Sequence, residues 1–210
     1  MGIAVMIMGE SGSGKTASLR NCKSQELKIF NVANKPLPFK RKLDVINNIK
    51  YKDITNELEK QERKLYVIDD SQYLMAFHMF DKAMEKGYDK FSEIAQWFYS
   101  LIKFVINKLP EDTIVYFLHH TEVNDMGKTK AKTIGKMLDN QLTLEGLFSI
   151  VLMAKINDDN KHVFVTQSDG CSTCKSPMDM FPALEIDNDL KAVDSAIREY
   201  YEFDKFEIEL

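Results

Sequence analysis

The feature that most constrains the fold of this chain is a glycine-rich stretch near its start, Gly9-Glu-Ser-Gly-Ser-Gly-Lys-Thr16. It matches the pattern G-x-x-x-x-G-K-[ST] at every fixed position. An unbroken apolar run, Ile3–Met8, precedes it and is typical of a strand buried on both faces. The segment Thr16–Asn21 contains no Gly or Pro and suits the start of a helix. The sequence therefore predicts the strand, turn and helix that a phosphate-binding loop requires, rather than an ordinary glycine-rich turn.

The chemistry of such a loop predicts a nucleoside triphosphate, ATP, together with Mg²⁺. Glycines let the backbone turn its N–H groups around an anion, and a helix start adds unsatisfied donors. Lys15 is expected to reach the outer phosphates, and the Thr16 hydroxyl to hold Mg²⁺. The residues expected to bind the nucleotide are Gly9, Glu10, Ser11, Gly12, Ser13, Gly14, Lys15, Thr16 and Ala17.

Composition narrows the class of protein. The 210 residues suit one α/β domain, and a net charge of −4 gives no overall basic field to attract nucleic acid. No apolar run approaches the roughly 20 residues of a membrane span, and the short apolar start lacks the basic region of a signal peptide. Three cysteines predict no disulfide framework, which fits the cytoplasm. We therefore expect a cytoplasmic protein without a membrane partner.

Apolar patterning predicts an α/β fold with a mostly parallel central sheet flanked by helices, and an antiparallel strand pair towards the C-terminus. The predicted strands are residues 3–8, 27–32, 64–70, 113–118, 148–154 and 162–166. One predicted helix begins at residue 16, and the others cover residues 53–63, 72–85, 91–109, 135–144 and 187–201. Residues 1–201 are expected to form the domain, and the acidic and apolar residues 202–210 a tail, either disordered or docked on a partner.

Two helices carry apolar stripes that predict core faces. The first stripe is Leu74, Phe77, Phe80 and Met84, and the second is Ile94, Phe98, Leu101, Ile102 and Val105.

Two carboxylates, Asp69 and Asp70, end the predicted strand 64–70. Asp69 is the candidate for holding Mg²⁺ with Thr16, the alternative being a turn residue. Asp70 is the candidate for orienting the attacking water.

His119 and His120 end the strand 113–118. Ligands of open α/β sheets bind beyond the carboxyl ends of strands, and successive side chains point to opposite faces. At most one histidine should therefore face the nucleotide, and we expect His120 to hydrogen-bond the γ-phosphate. The alternative is a pair of loop histidines without a role.

A polar loop, residues 123–133, follows the histidines and carries Lys128, Lys130 and Lys132, with Lys136 beyond it. Flexible cations of this kind bind phosphate backbones. A second candidate patch is Lys35, Phe39, Lys40, Arg41 and Lys42, and solvated surface is the alternative for both.

A late loop, residues 167–179, carries Cys171, Cys174 and Lys175. Two cysteines fall short of the four ligands of a structural zinc site, so plain loop cysteines are favoured over zinc or redox chemistry. Only four of the 28 basic residues are arginines, so Lys175 is the candidate cation for the γ-phosphate of a neighbouring subunit.

The order MGESGSGKT, YVIDDSQYL and IVYFLHHTE, then a lysine-rich loop, a strand pair and a late lysine, resembles RecA-like P-loop ATPases. In compactness it looks like the small phage ATPases linked to single-strand annealing and recombination. The resemblance covers residues 1–200, and only the phosphate loop is highly specific.

This resemblance implies nucleotide binding by Gly14, Lys15 and Thr16, a magnesium aspartate at Asp69, and a polar switch at His120 that connects the γ-phosphate to a DNA-binding loop at residues 123–133. It also implies a homo-oligomer with ATP at subunit interfaces, Lys175 as a finger across them, and, for a phage protein, the host cytoplasm. One departure is that residues 31–35 lack the family's water-activating glutamate, so either Asp70 serves instead or hydrolysis is slow.

Three functions remain open at this point. The first is an ATPase that binds single-stranded DNA in recombination or replication. The second is a phosphotransferase acting on a small molecule, against which the scarcity of arginine counts. The third is a nucleotide-gated assembly factor with little hydrolysis, which the missing glutamate favours.

Overall fold

The computed structural model describes residues 1–135, 138 and 142–203. Within them the strands are β1 (Ile3–Gly9), β2 (Leu27–Asn31), β3 (Val45–Asn47), β4 (Leu65–Asp69), β5 (Ile114–Val123), β6 (Thr129–Ala131), β7 (Ile150–Ile156), β8 (His162–Val165) and β9 (Glu185–Asp187). The α-helices are α1 (Tyr51–Glu59), α2 (Gln72–Asp81), α3 (Asp89–Lys108) and α4 (Leu190–Tyr200), and short 3₁₀ helices cover Thr16–Asn21 and Leu144–Leu147. Residues 136, 137 and 139–141 of the helix predicted over 135–144, and residues 204–210 of the predicted tail, lie outside the described residues.

The strands form one sheet in the order β3-β2-β4-β5-β1-β7-β8-β9, with β6 paired to β5. The strands from β3 to β7 in this order are parallel, and β8 and β9 are antiparallel additions. This confirms the predicted α/β class, the mostly parallel sheet and the antiparallel pair of β7 with β8. The strands β3, β6 and β9 were not predicted, because three residues are too short to show a period.

Helices cover both faces of the sheet, which explains why its central strands are apolar up to their carboxyl ends. All five residues of β4 are buried. One core lies between the sheet and helices α1, α2 and α3, and includes the expected α3 stripe. The other lies between the sheet, the first 3₁₀ helix and α4.

The predicted core stripe of α2 is largely wrong. Leu74 is buried, but Phe77 is 42% exposed, Phe80 76% and Met84 94%. The helix ends at Asp81, and its buried residues are instead Gln72, Leu74 and Met75. The apolar spacing therefore follows the outer face of α2 beyond its first turn.

Two helix boundaries also differ from prediction. The segment after the glycine loop is a 3₁₀ helix, and the last helix begins at Leu190 rather than 187. Asp189 caps the latter by accepting a hydrogen bond from the Lys191 amide. Within the described ranges, no helix combines the length and apolarity needed to cross a bilayer.

Candidate phosphate-binding site

The glycine loop leaves the carboxyl end of β1 and turns directly into the 3₁₀ helix. Gly12 and Gly14 have φ angles of +80° and +101°, in the region that favours glycine. A Cβ on Gly9 would lie 2.5 Å from Ser13 Oγ and 2.7 Å from the Ala154 carbonyl oxygen. The tight curvature of this loop therefore requires glycine at the positions where the sequence has it.

Lys15 folds back onto its own loop. Its Nζ donates to the carbonyl oxygens of Gly9 at 2.7 Å and Glu10 at 2.8 Å. Burial lowers the pKa of this ammonium to about 8, and the charges of Asp70 and Asp69 oppose that shift. A buried cation surrounded by the loop is suited to exchange carbonyl oxygens for the oxygens of a phosphate.

The Thr16 hydroxyl reaches the carboxylate of Asp69, at 2.9 Å from Oδ1 and 3.1 Å from Oδ2. Burial raises the pKa of Asp69 to about 6, the charge of Asp70 adds to that rise, and the Thr16 hydroxyl opposes it. The two side chains expected to share a metal ion are therefore in contact. A hydroxyl and one carboxylate, completed by phosphate oxygens and water, form a donor set that suits Mg²⁺.

Asp70 lies beside Asp69, with a φ angle of +58° that turns its side chain in another direction. Its Oδ2 accepts from Lys35 Nζ at 2.8 Å, and its Oδ1 from His120 Nε2 at 3.2 Å. Burial alone would raise the pKa of Asp70, but the hydrogen bonds from His120 and Lys35 lower it to about 2. This carboxylate is an anion held by two donors.

His120 lies between the glycine loop and the two aspartates. Strand β5 separates β1 from β4 in the sheet, and His120 is the register partner of Gly9. The Tyr73 ring packs edge-on against it, with centroids 5.6 Å apart. His120 thus faces the cavity, as expected from the alternation of side chains.

His119, its neighbour, points away and is fully buried. One ring nitrogen, Nε2, donates to the Lys132 carbonyl oxygen at 2.8 Å, so Nδ1 of the neutral ring accepts from the Ser71 hydroxyl at 2.9 Å. Burial lowers the pKa of His119 to about 4. This histidine joins the turn after Asp70 to the segment that follows β6.

Lys15, Thr16, Asp69, Asp70 and His120 line a common cavity of about 390 Å³. From the glycine loop and its continuation, the lining contains Ser11, Gly12, Gly14, Lys15, Thr16 and Ala17, while Gly9, Glu10 and Ser13 line a neighbouring cavity. The rest of the lining is Lys35, Pro36, Pro38, Asp69, Asp70, His120 and His162. The volume lies within the range of small-molecule sites.

Two of these lining side chains, Lys35 and His162, were not expected at this cavity. The sequence predicts Lys35 in a candidate surface patch, but its ammonium forms an ion pair with Asp70. His162 begins β8, and its Nδ1 donates to the Ser13 carbonyl oxygen at 3.0 Å. A Cβ on Gly14 would lie 2.8 Å from that nitrogen. No local sequence signal identifies either residue, because tertiary packing alone brings both to the loop.

The segment 123–133, predicted as a loop, is mostly a β-hairpin. Strand β5 continues past the sheet core and pairs with β6, with Glu122 opposite Lys130. These two side chains form an ion pair at 3.1 Å. The strand β6 also contacts residues 171–173, through the Thr129 amide and the Cys171 carbonyl oxygen at 2.8 Å. Lys128, Lys130 and Lys132 are therefore presented on an ordered hairpin.

The hairpin adjoins the glycine loop. Thr121 and Thr129 line one cavity, of about 470 Å³, together with residues 9–13. A change in the conformation of the glycine loop would therefore alter a cavity that the hairpin also lines.

Lys175 does not line the cavity that contains Lys15. Its backbone pairs with Val151 in β7 through hydrogen bonds of 2.8 and 2.9 Å. Burial lowers its pKa, opposed by the charge of Glu145. Its expected role at the site of a neighbouring subunit stays a prediction.

Of the two loop cysteines, Cys171 is exposed and Cys174 is buried. Across the residues that the structure describes, no three His, Cys, Asp or Glu side chains cluster as a metal site would require.

No protein-family model matches this chain, and no curated protein matches its sequence.

Proposed function

We propose that this protein binds ATP with Mg²⁺ in the cavity lined by Lys15, Thr16 and Asp69, hydrolyses it, and couples the nucleotide state to single-stranded DNA. The observation that carries the proposal is the contact between the Thr16 hydroxyl and Asp69, residues that lie 53 positions apart. In a glycine turn without a phosphate-binding role, nothing favours a hydrogen bond from the Thr16 hydroxyl to a buried carboxylate at the end of another strand.

Each residue has a distinct role in this proposal. Backbone N–H groups of the glycine loop bind phosphate oxygens, and Lys15 neutralises the outer phosphates. Thr16 and Asp69 hold Mg²⁺, which offsets the negative charge of the phosphates. A bound metal would add to the charge of Lys15 a second positive charge beside Asp69, which lowers the pKa of this carboxylate and keeps it ionised.

His120 and Asp70 are proposed to act on the attacking water and the γ-phosphate. With Nε2 donating to Asp70, His120 is oriented towards the cavity. Lys35 occupies the other oxygen of Asp70, so release of Lys35 towards the phosphates would free that oxygen to orient water.

The DNA part of the proposal rests on the hairpin. It carries three lysines next to the glycine loop, and its exit is tied to the site by the Lys132 amide, which donates to the His120 carbonyl oxygen at 2.9 Å. A nucleotide that moves His120 would therefore move the hairpin. ATP at the interface between copies of the chain, with Lys175 completing it, belongs to the same proposal.

The experiment is an ATPase assay with and without single-stranded DNA, on the wild-type protein and Lys15→Ala. We expect loss of turnover in Lys15→Ala, and DNA stimulation of the wild type with a change in its sedimentation. Unchanged turnover and unchanged size with DNA would eliminate the DNA part, and equal turnover in both proteins would eliminate the ATPase.

A second function, a nucleotide-gated assembly factor with slow hydrolysis, is favoured by one observation. Both oxygens of Asp70 are already engaged, by Lys35 and His120. Tight ATP binding with no phosphate release, and no acceleration in Lys35→Ala, would select this function.

A further inference from the structure

A second cavity, of about 360 Å³, opens at the carboxyl ends of β2 and β3, on the face of the sheet that α1, α2 and α3 cover. Within the described residues its lining has no member in common with the phosphate cavity. Val32, Ile49 and Leu74 contribute buried apolar surface, and Tyr51, Phe77 and Trp97 contribute aromatic rings. The proposed ATPase uses none of these residues.

The rings of this cavity are arranged as stacking surfaces. Tyr51 and Trp97 lie 5.9 Å apart between centroids, and Tyr51 meets His78 edge-on at 6.2 Å. Phe77 and Trp97 remain 42% and 45% exposed. Partly exposed aromatic faces at the mouth of an apolar cavity are suited to a planar ring, since such stacking is favourable for any aromatic system.

Two side chains that line this cavity, Tyr51 and His78, each carry a polar atom without a protein partner among the described residues. Tyr51 Oη and His78 Nδ1 are buried, and neither has a hydrogen-bond partner anywhere in the described parts of the chain. Burial raises the pKa of the Tyr51 phenol, which keeps it a hydroxyl donor. Buried polar groups are ordinarily paired, so two orphans in one apolar cavity indicate that something else supplies their partners.

The hydrogen-bonding pattern of these atoms selects the ligand. His78 Nε2 faces Glu93 Oε1 at 3.5 Å, and since a carboxylate only accepts, the neutral tautomer that fits this contact has its proton on Nε2 and a lone pair on Nδ1. The pair therefore offers one donor, Tyr51 Oη, and one acceptor, His78 Nδ1. A planar ring with adjacent carbonyl and N–H groups matches it.

The charged side chains around the mouth of the cavity are largely paired with opposite charges. Lys50 pairs with Asp81 at 3.1 Å, Glu93 pairs with Lys82 at 2.7 Å, and Lys52 is exposed. This rim suits a ring that is neutral, with at most one attached phosphate.

We propose that the cavity between α1, α2 and α3 is a nucleobase-binding site, which stacks the base on Tyr51 and Trp97 and binds its carbonyl and N–H edge through Tyr51 Oη and His78 Nδ1. The base belongs to a free nucleoside or nucleotide, or to a nucleic-acid strand. This site is independent of the proposed ATP site.

The test uses Trp97, the only tryptophan of the chain, as a reporter inside the site. Its fluorescence is followed during titration with thymidine, thymidine monophosphate and a short oligothymidylate. We expect saturable quenching by thymidine, and the tightest of the three probes identifies the source of the base. N3-methylthymidine, which lacks the N–H group, should bind roughly tenfold more weakly.

Protein variants separate this site from the other. Tyr51→Phe keeps the ring and removes an unpaired hydroxyl, so it should fold at least as stably as the wild type and bind thymidine roughly tenfold more weakly. Tyr200→Phe, on α4, and Lys15→Ala should leave the thymidine titration unchanged. If Tyr51→Phe misfolds, His78→Leu removes the acceptor Nδ1 instead, and its weaker binding of thymidine is measured by calorimetry.

Several outcomes would overturn the proposal. One is the absence of saturable quenching by all three probes. Another is equal binding of thymidine by wild-type protein and Tyr51→Phe. A third is equal binding of cyclohexanol and thymidine, which would make the cavity a docking groove for apolar side chains. Loss of ATP binding in Lys15→Ala with thymidine binding intact supports both sites, and thymidine binding without any ATP binding by the wild type refutes only the ATPase.

Discussion

The hydroxyl of Thr16 donates to the carboxylate of Asp69 across 2.9 Å. Strand β5 lies between β1, which leads into the glycine loop, and β4, which ends at Asp69. The loop after β1 must therefore lean over the end of β5 to make the contact. Since His120 ends that intervening strand in register with Gly9, the three groups converge. The relationship places a hydroxyl, a carboxylate and an imidazole at one cavity.

Asp69→Asn should abolish Mg²⁺-dependent nucleotide hydrolysis while leaving the fold intact. The amide oxygen still accepts from Thr16, but the charge that binds the metal is gone, and we expect a loss of about 100-fold or more in turnover. The measurement is phosphate release against Mg²⁺ concentration, with Asp112→Asn as the control because Asp112 forms a surface ion pair with Lys64. Turnover in Asp69→Asn equal to that of the control would remove Asp69 from the site.

The contribution of His119 to stability should depend on pH. Its folded-state pKa, about 4, is below its ordinary value of 6.5, so the unfolded chain binds the proton more tightly. The stabilisation of the wild type over His119→Gln should be full above pH 6.5 and be lost progressively as the pH falls to 4, by up to about 3 kcal/mol.

The measurement is urea unfolding of both proteins across this range. Asp69, whose raised pKa acts in the opposite direction between its ordinary value of 3.8 and about 6, is present in both proteins and largely cancels in the difference. A difference in unfolding free energy that stays constant with pH would contradict a neutral, buried His119.

Gly14→Ala should damage the glycine loop more than Gly12→Ala does. Both positions have a positive φ, which alone costs about 1 kcal/mol with a side chain present. At Gly14 the new Cβ also meets His162 Nδ1 at 2.8 Å, whereas at Gly12 no atom lies within 4 Å. Fluorescent ATP analogue binding should therefore weaken by at least tenfold more in Gly14→Ala.

Adding His162→Ala to Gly14→Ala should recover part of that loss, because it removes the shortest contact and leaves the φ strain and a 3.2 Å approach to Asn188 Nδ2. Equal binding by the two single glycine variants would mean that His162 does not pack against the loop.

The hairpin lysines should differ in their contributions to DNA binding. If Lys128 and Lys132 each neutralise a phosphate, Lys128→Gln and Lys132→Gln should each reduce the slope of log affinity against log salt by about 0.7. Lys130→Gln should reduce it less, because Lys130 forms an ion pair with Glu122. Oligothymidylate binding at several salt concentrations measures these slopes, with Lys108→Gln on α3 as the control, and equal slopes in all four variants would exclude the hairpin as the DNA contact.

Local patterning was sufficient for the central strands and for α3. Strand β4 is apolar from Leu65 to Ile68 because helices cover both faces, and the α3 stripe repeats at helical spacing from Ile94 to Val105, so each pattern has one structural interpretation. The same reasoning was wrong for α2, where Phe77 and Phe80 have the spacing of a core face, but Phe77 lines an open cavity and Phe80 is exposed. Periodicity shows that residues share a face and does not show what covers that face.

By itself, the sequence determined the glycine loop, the α/β class and the candidate pairing of Thr16 with Asp69, because these depend on backbone conformation and burial that a few neighbouring residues set. Only the tertiary structure decided that Lys35 binds Asp70, that His162 packs on Gly14, and that Tyr51 and His78 leave unpaired polar atoms in one cavity. Those relationships join side chains far apart in the chain. They arise from the order of strands and the packing of helices, and no local pattern of residue types encodes them.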